Sequence, residues 1–266
     1  MFFVWFITHF VIPLLIMNGL KRNDFLRGLK NGAPICLAYL AVSFTFGLLA
    51  ENNGIPVWIA TLISATNLTS AGQFAGLNMM ILSSSLYEIA ITVFVINSRY
   101  VLMGLSLSQQ LETEVGTVKR IIMSLFITDE IYAVASAEGT KLSFPYYIGL
   151  ATTPYLGWTI GTLTGGLVNS VLPQSLQIAA NVALYCMFIA IFIPPARKSK
   201  AVLVCVAISA GLSCALYFIP GLNKISFGFR TVIATVLSAA ITALIFPVKE
   251  RVGTEETNEK NAEEIE

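Results

Sequence analysis

Long apolar runs dominate this chain and limit it to one kind of fold. Runs that favour helices lie at about 33–50, 56–82, 84–108, 120–137, 146–168, 177–195, 201–219 and 229–247. A helix needs about 20 apolar residues to cross a hydrocarbon core about 30 Å thick. With 56% hydrophobic and 12% charged residues, the chain has too little polar surface to cover a soluble globule. We therefore predict an all-α, polytopic integral membrane bundle of about eight transmembrane helices.

The sequence indicates one membrane domain with two unlike ends. Residues 18–248 form the predicted single transmembrane domain. Residues 1–17 are an apolar extension that fits neither a full span nor a signal peptide well, so either Met17 is the true start or the extension is a short interfacial helix. Residues 249–266 are polar and acidic, and we expect this tail to be disordered.

Lysine and arginine are unevenly distributed between alternate loops. With the amino terminus inside, the inner segments carry eleven of these residues and the outer segments carry four, including Lys119 and Arg120. Because cytoplasmic loops carry an excess of positive charge, both termini are predicted to be cytoplasmic. A re-entrant second segment is the alternative, and it would give seven spans with the termini on opposite sides.

Polar and small residues interrupt the second apolar run at 66–73, a stretch that includes Asn67, Gly72 and Gln73. Non-helical backbone at membrane depth must line a cavity or be buried in protein. We predict a discontinuous second helix, whose half-helix end carries unpaired N–H groups that hold a substrate carboxylate. The alternative is an intact helix whose hydroxyl and amide groups bond to neighbouring helices.

Ionisable residues lie within the third and fourth runs. Glu88, Asn97 and Arg99 fall in the third run, and Asp129 and Glu130 fall in the fourth. Each charged residue costs roughly 2.5–3.5 kcal/mol on insertion into a membrane. Glu88 and Arg99 share a helix face but lie about 16 Å apart, so Arg99 is expected to pair with Asp129 or Glu130. Such a pair is either structural or part of a polar pathway, and proton coupling through it is a hypothesis.

Glycine repeats at every fourth residue of the fifth run, at Gly157, Gly161 and Gly165. A strip of this kind lets another helix approach closely. We predict that it packs against a neighbouring helix, and the alternative is that it lets helices slide past each other.

The sequence lacks the residues and motifs expected of a membrane-embedded enzyme. Its single histidine lies in the apolar extension, and it contains no motif of a metalloprotease, a rhomboid-like protease or an intramembrane aspartyl protease. The four cysteines lack the spacing of a metal or redox site, so no cofactor is expected. A net charge of +1 gives no argument for nucleic-acid binding. The expected partners are membrane lipid, other helices and a small solute.

Several motifs occur in a fixed order within about residues 20–247. They are Gly32-Ala33-Pro34, Ser70-Ala71-Gly72-Gln73-Phe74, Asn97-x-Arg99 followed by Leu102, Gly104, Leu105 and Ser106, and Thr128-Asp129-Glu130. Together they resemble the AzlC family of branched-chain amino acid permeases. The resemblance implies export of leucine, isoleucine or valine by a multi-pass carrier of the bacterial inner membrane, with a small AzlD-like membrane partner. It makes Gln73, Asn97, Arg99, Asp129 and Glu130 the matched motif positions. Tyr100 stands where the family commonly has His, so this chain lacks a group there that titrates near neutrality.

Two function classes remain open. The first is a secondary transporter driven by an ion gradient or a partner, since the sequence has no Walker-type ATP motif. The alternative is a channel or a structural subunit of a membrane complex for another small solute. The candidate substrate and coupling residues are Gln73, Asn97, Arg99, Asp129, Glu130, Glu88, Asn67 and Gly72.

Overall fold

The computed structural model describes residues 19–139, 141–169 and 193–247, together with 172–173, 175, 178–179, 182, 186 and 189. These residues form helices and connecting turns, with one isolated parallel bridge between Leu111 and Leu142 and no strand among them. The all-α prediction is confirmed. The predicted apolar extension, the acidic tail and most of the predicted sixth span lie outside the described residues.

Within the described residues, four stretches of helix are long and apolar enough to cross a membrane. In chain order the helices are α1 (Gly19–Asn52), α2 (Val57–Thr66), α3 (Ser70–Ile81), α4 (Leu86–Asn97), α5 (Arg99–Gln109), α6 (Thr117–Ser124), α7 (Asp129–Ser136), α8 (Phe144–Val168), α9 (Lys200–Phe218) and α10 (Phe227–Ile245), with a 3-10 helix at Leu222–Lys224. The candidate spans are Lys21–Asn52 within α1, Leu86–Gln109 formed by α4 and α5, α9, and α10. The chain is therefore a multi-pass membrane protein.

The predicted count of about eight spans is not confirmed. The second and fourth apolar runs each form two short helices, α2 with α3 and α6 with α7, instead of one long helix. The fifth run forms α8, which has 25 residues but whose many Gly, Thr and Tyr residues give it a lower hydropathy than the four candidate spans. The sixth run, at 177–195, is described only at isolated positions and at its end.

Glycine residues bring α1 and α8 into close contact. A Cβ atom added at Gly28 or Gly47 of α1 would collide with the backbone of α8, and one added at Gly161 or Gly165 would collide with the backbone of α1. Helices approach this closely only where no side chain separates them. The predicted glycine strip therefore packs against α1, and the two helices form what we call the α1–α8 pair.

The α1–α8 pair is parallel, which constrains the topology. Gly28 lies beside Tyr146 and Leu150, whereas Gly47, farther along α1, lies beside Thr162. Two parallel helices that cross a membrane are separated by an odd number of crossings. The α4–α5 helix is one candidate crossing, so if α8 crosses the membrane as α1 does, α2–α3 and α6–α7 either both cross or both return to their own side.

Both broken segments continue into a half-helix that is capped by threonine. The α2 helix ends at Asn67, and Thr69 then accepts a hydrogen bond from the Gly72 backbone N–H at 3.4 Å at the start of α3. Similarly, Thr128 accepts from the Ile131 backbone N–H at 3.3 Å at the start of α7. The predicted discontinuous second helix is confirmed, whereas the break in the fourth segment is an additional finding.

The chain contains two units, and every candidate site residue lies in the first. This unit falls within residues 1–191 and 226–229, and its core includes the fully buried Trp158 and Ile131. The second unit falls within residues 192–225 and 230–266 and contains α9 and most of α10.

Candidate functional site

The start of α3 is held by a hydroxyl group whose hydrogen-bonding positions are all filled. Thr69 Oγ1 accepts from the Gly72 backbone N–H and donates to Asn97 Oδ1 at 2.8 Å. It also accepts from the Tyr100 hydroxyl at 3.2 Å. Because a hydroxyl has one donor and two acceptor positions, Thr69 is fully used. The first helix break is thereby tied to the junction of α4 and α5.

Arg99, at the first position of α5, pairs with an acid at the first position of α7. Its Nη2 atom lies 2.8 Å from Asp129 Oδ2 and donates to the Tyr100 hydroxyl at 3.3 Å. The Arg99 and Asp129 side chains are 39% and 30% exposed. Arg99 Nε is buried and has no hydrogen-bond partner among the described residues. The guanidinium has five N–H donors, so it retains donors for a further ligand.

Glu130 faces a different partner from its neighbour Asp129. The Tyr39 hydroxyl donates to Glu130 Oε2 at 2.5 Å. Adjacent positions on a helix point about 100° apart, which explains why the two carboxylates diverge. The Tyr39 ring also packs edge-on against Trp158, with ring centroids 5.1 Å apart. Asp129 therefore faces α5, while Glu130 faces α1.

Gln73 ties three helices together next to the first break. Trp158 Nε1 donates to Gln73 Oε1 at 3.0 Å, and Gln73 Nε2 donates to Ser64 Oγ at 2.5 Å. Ser64 Oγ in turn lies 2.7 Å from Thr162 Oγ1. Gln73 is only 3% exposed, and both ends of its amide are used within the protein. This residue therefore positions α2 and α3 against α8.

Asn67 and Gly72 flank the break between α2 and α3. Asn67 is extended, with φ −139° and ψ 94°, and the Tyr155 hydroxyl donates to the nearby Ala65 carbonyl at 3.1 Å. A Cβ atom on Gly72 would lie 3.0 Å from Asn97 Oδ1, so the Asn97 amide rests directly on this bare backbone. The break is thus stabilised by side chains from α4 and α8.

Glu88 lies apart from the other predicted site residues. It is buried near the start of α4, where it accepts hydrogen bonds from the Ser226 hydroxyl and from the Gly228 backbone N–H at 3.1 Å. These contacts attach α4 to the first residues of α10. No described hydrogen bond or ion pair joins Glu88 to Arg99 or Asp129.

The predicted residues other than Glu88, Asn67 and Gly72 belong to two groups of side chains in contact. We call Thr69, Asn97, Tyr100, Arg99 and Asp129 the Arg99 network. We call Glu130, Tyr39, Trp158, Gln73, Ser64 and Thr162 the Gln73 network, in which the Tyr39 and Trp158 rings supply the link. Both networks include residues near the start of α3, Thr69 and Gln73, and at the start of α7, Asp129 and Glu130. Both helix breaks are therefore part of the candidate site.

Sequence reasoning missed several members of these networks. Thr69 carries a local signal, because a threonine before small residues is typical of a helix N-cap. Tyr39 and Trp158 carry no such signal. Each is an aromatic residue within an apolar run, and only the tertiary packing brings the Tyr39 hydroxyl to Glu130 on α7 and the Trp158 indole N–H to Gln73 on α3.

Two cavities border the networks. One has a volume of about 310 Å³, lies along α3 and includes Asn67, Gly72 and Gln73 in its wall. The other has a volume of about 390 Å³, lies between α5 and α6 and includes Tyr100 and Arg120. Both volumes are at the lower end of the range for small-molecule sites, about 300–1,000 Å³.

Comparison with known proteins gives a consistent family assignment. The family model described as "AzlC protein" matches residues 34–172, a range that includes every member of both networks. The chain is 27% identical over 229 residues to "Inner membrane protein YgaZ" of Escherichia coli (strain K12), covering 83% of this chain and 90% of that protein.

Two further relatives are uncharacterized membrane proteins. One, from Archaeoglobus fulgidus, is 30% identical over 183 residues, covering 67% of this chain and 79% of the relative. The other, from Helicobacter pylori (strain J99), is 27% identical over 157 residues, covering 56% of this chain and 67% of the relative. No solved structure matches the chain significantly.

Proposed function

Because this chain belongs to the AzlC protein family, we propose that it is a secondary transporter that exports the branched-chain amino acids leucine, isoleucine and valine. One observation supports this most strongly: a partly exposed ion pair between Arg99 and Asp129 lies beside the broken ends of two helices. A zwitterion with an aliphatic side chain needs a cation, an anion and an apolar surface. The first unit contains all three.

In the proposed binding step, the substrate is inserted into the Arg99–Asp129 pair. The substrate carboxylate binds the Arg99 guanidinium, and the substrate ammonium group binds Asp129. One internal ion pair is then replaced by two ion pairs with the solute, so no unpaired charge remains in the membrane before or after binding. This balance matters because an uncompensated buried charge is costly.

Glu130 is the acid that we assign to proton coupling. Asp129 is already paired with Arg99, whereas no cation pairs with Glu130 among the described residues. A change at Glu130 therefore leaves the ion pair of the Arg99 guanidinium in place. We expect Glu130→Gln to abolish the effect of a pH gradient on leucine flux while leucine exchange continues. If the pH gradient still affects leucine flux in this variant, the assignment is wrong.

The proposed setting is the bacterial inner membrane, with both termini in the cytoplasm and a small AzlD-like membrane protein as partner. The name of the Escherichia coli relative supports the inner membrane. The excess of Lys and Arg in alternate loops supports the orientation. The partner rests on the family assignment.

Efflux of labelled leucine and valine tests the function. Cells that produce the chain, with and without the small partner, should lose label faster than cells without it. Arg99→Gln should abolish this efflux. Arg120→Gln is the matched control, because Arg120 donates to the Val115 and Ser108 carbonyls among the described residues and lies outside both networks.

Counterflow in liposomes separates the transporter from its alternative. Saturable exchange of internal for external leucine supports a carrier. Conductance without saturation would instead identify a channel, and absence of any flux would favour a structural subunit.

A further inference from the structure

The cavity along α3 has the properties of a pocket for an aliphatic side chain. Its wall contains no charged residue, and apart from Asn67 and Gln73 it is made by apolar residues and glycine. Building on the proposed transport of amino acids, we propose that this cavity holds the substrate side chain and that Gly76 sets the size of side chain it accepts.

The position of the cavity relates it to the Arg99 network. Gly72, Gly76 and Met80 line it from one face of α3, because residues four apart on a helix lie above one another. These three positions extend about 12 Å from the start of the helix. Gly72 is also the residue whose backbone supports Asn97 and whose N–H is capped by Thr69. The cavity therefore begins where the polar network ends.

One end of the cavity is polar and the rest is apolar. Asn67 lies at the break, and its side-chain amide makes no hydrogen bond within the described part of the chain. Ile63, Ile89 and Val93 line the cavity as aliphatic residues. An amino acid would place its charged groups at the break, between Asn67 and the Arg99 network, and its side chain along α3.

Gly76 leaves space that a larger residue would fill. A Cβ atom added there would lie 3.7 Å from Val93 Cγ2, which is ordinary van der Waals contact. By comparison, a Cβ atom at Gly165 in the α1–α8 pair would collide with the Phe44 backbone. Helix packing therefore does not require glycine at position 76. The lack of a side chain there leaves the cavity open.

Transport of leucine, valine and alanine by three variants tests the proposal. Gly76→Ala and Gly76→Val should reduce leucine transport more than alanine transport, with the leucine-to-alanine ratio falling roughly tenfold for Gly76→Val, since a hydrophobic pocket discriminates about 10- to 200-fold per methylene group. Gly104→Ala is the control, because Gly104 lines the other cavity, near Ile127. It should leave the ratio unchanged. Membrane levels of each variant are measured alongside, and Gly76→Ala remains informative if Gly76→Val does not fold.

Two outcomes would overturn the assignment. If both Gly76 variants keep the wild-type ratio, the cavity is occupied by a lipid chain or by nothing that is transported. If Gly104→Ala changes the ratio instead, the side chain lies between α5 and α6. Failure of the unaltered protein to move any amino acid would contradict the proposed function itself, which distinguishes that failure from an error in placing the pocket.

Discussion

The α1–α8 pair and the two broken segments have similarly apolar sequences, but the pair consists of long continuous helices and the broken segments consist of short interrupted ones. In the pair, glycine lets two long helices meet backbone to backbone. In the broken segments, the helix stops at Asn67 or Leu125 and restarts after a threonine cap, where acids, amides and hydroxyl groups gather. Hydrophobicity thus identifies the membrane-embedded residues. The spacing of glycine identifies the closely packed α1–α8 pair, and the position of capping residues identifies the helix breaks at the candidate site.

The largest effect on stability is expected in the α1–α8 pair. A valine at Gly161 would place its Cβ atom 2.6 Å from the Leu40 carbonyl oxygen, so Gly161→Val must push the helices apart. We expect a loss on the order of 3 kcal/mol, or no folded protein. Gly211→Val in α9 is the control, because a Cβ added there has no contact within 4 Å with another part of the described chain. Thermal unfolding in detergent measures both, and equal melting temperatures would contradict the close packing.

A substitution in the Arg99 network should affect transport strongly. Asp129→Asn keeps the size of the side chain and removes the ion-pair partner of Arg99. Leucine efflux should fall at least about tenfold, because the substrate ammonium group loses its ion-pair partner. Asp24→Asn is the matched control, since Asp24 forms a similarly exposed pair with Arg27 outside the network. Equal effects of the two substitutions on efflux would argue against a binding role.

Tyr100 provides a smaller test of the same network. Tyr100→Phe removes the hydroxyl that joins Arg99 to Thr69 and keeps the ring. One hydrogen bond contributes about 0.5–1.5 kcal/mol, so we expect leucine affinity to weaken between about two- and tenfold. Apparent affinity is measured by competition in transport assays. A variant with unchanged affinity would show that the hydroxyl does not position the guanidinium.

Glu88 should show the smallest effect on transport. Glu88→Gln keeps an oxygen that accepts from the Gly228 N–H, and it lies outside both networks. We expect less than about a twofold change in leucine efflux, because one acceptor is retained. The measurement is the initial rate of efflux, normalised to protein level. A large loss of leucine efflux, or a loss of the effect of a pH gradient on it, would show that Glu88 takes part in transport.

The sequence predicted the helical membrane fold, the break in the second segment and the need for an acid near Arg99. Each of these has a local signal in the sequence: the length of the apolar runs for the fold, a polar interruption for the break, and the charge of arginine for the acid. It did not predict the break in the fourth segment, since Leu125 to Thr128 are not unusually polar.

The Gln73 network was also beyond sequence reasoning. Gln73 matched a motif, but its role in joining Ser64 to Trp158 depends on residues 9 and 85 positions away in the chain. Glu88 was predicted as a site residue because it is charged within an apolar run. Its hydrogen-bond partners among the described residues, Ser226 and Gly228 near the start of α10, could not be predicted from the sequence.

The most direct test of the central claim is equilibrium binding of labelled leucine to the purified protein, because it measures the Arg99 site without any contribution from coupling or partner. Arg99→Gln should weaken binding roughly 10- to 100-fold, since a hydrogen bond to a charged group contributes about 1.5–3 kcal/mol. Arg120→Gln should bind like the unaltered protein. Equal affinity of the Arg99→Gln variant and the unaltered protein would contradict the account.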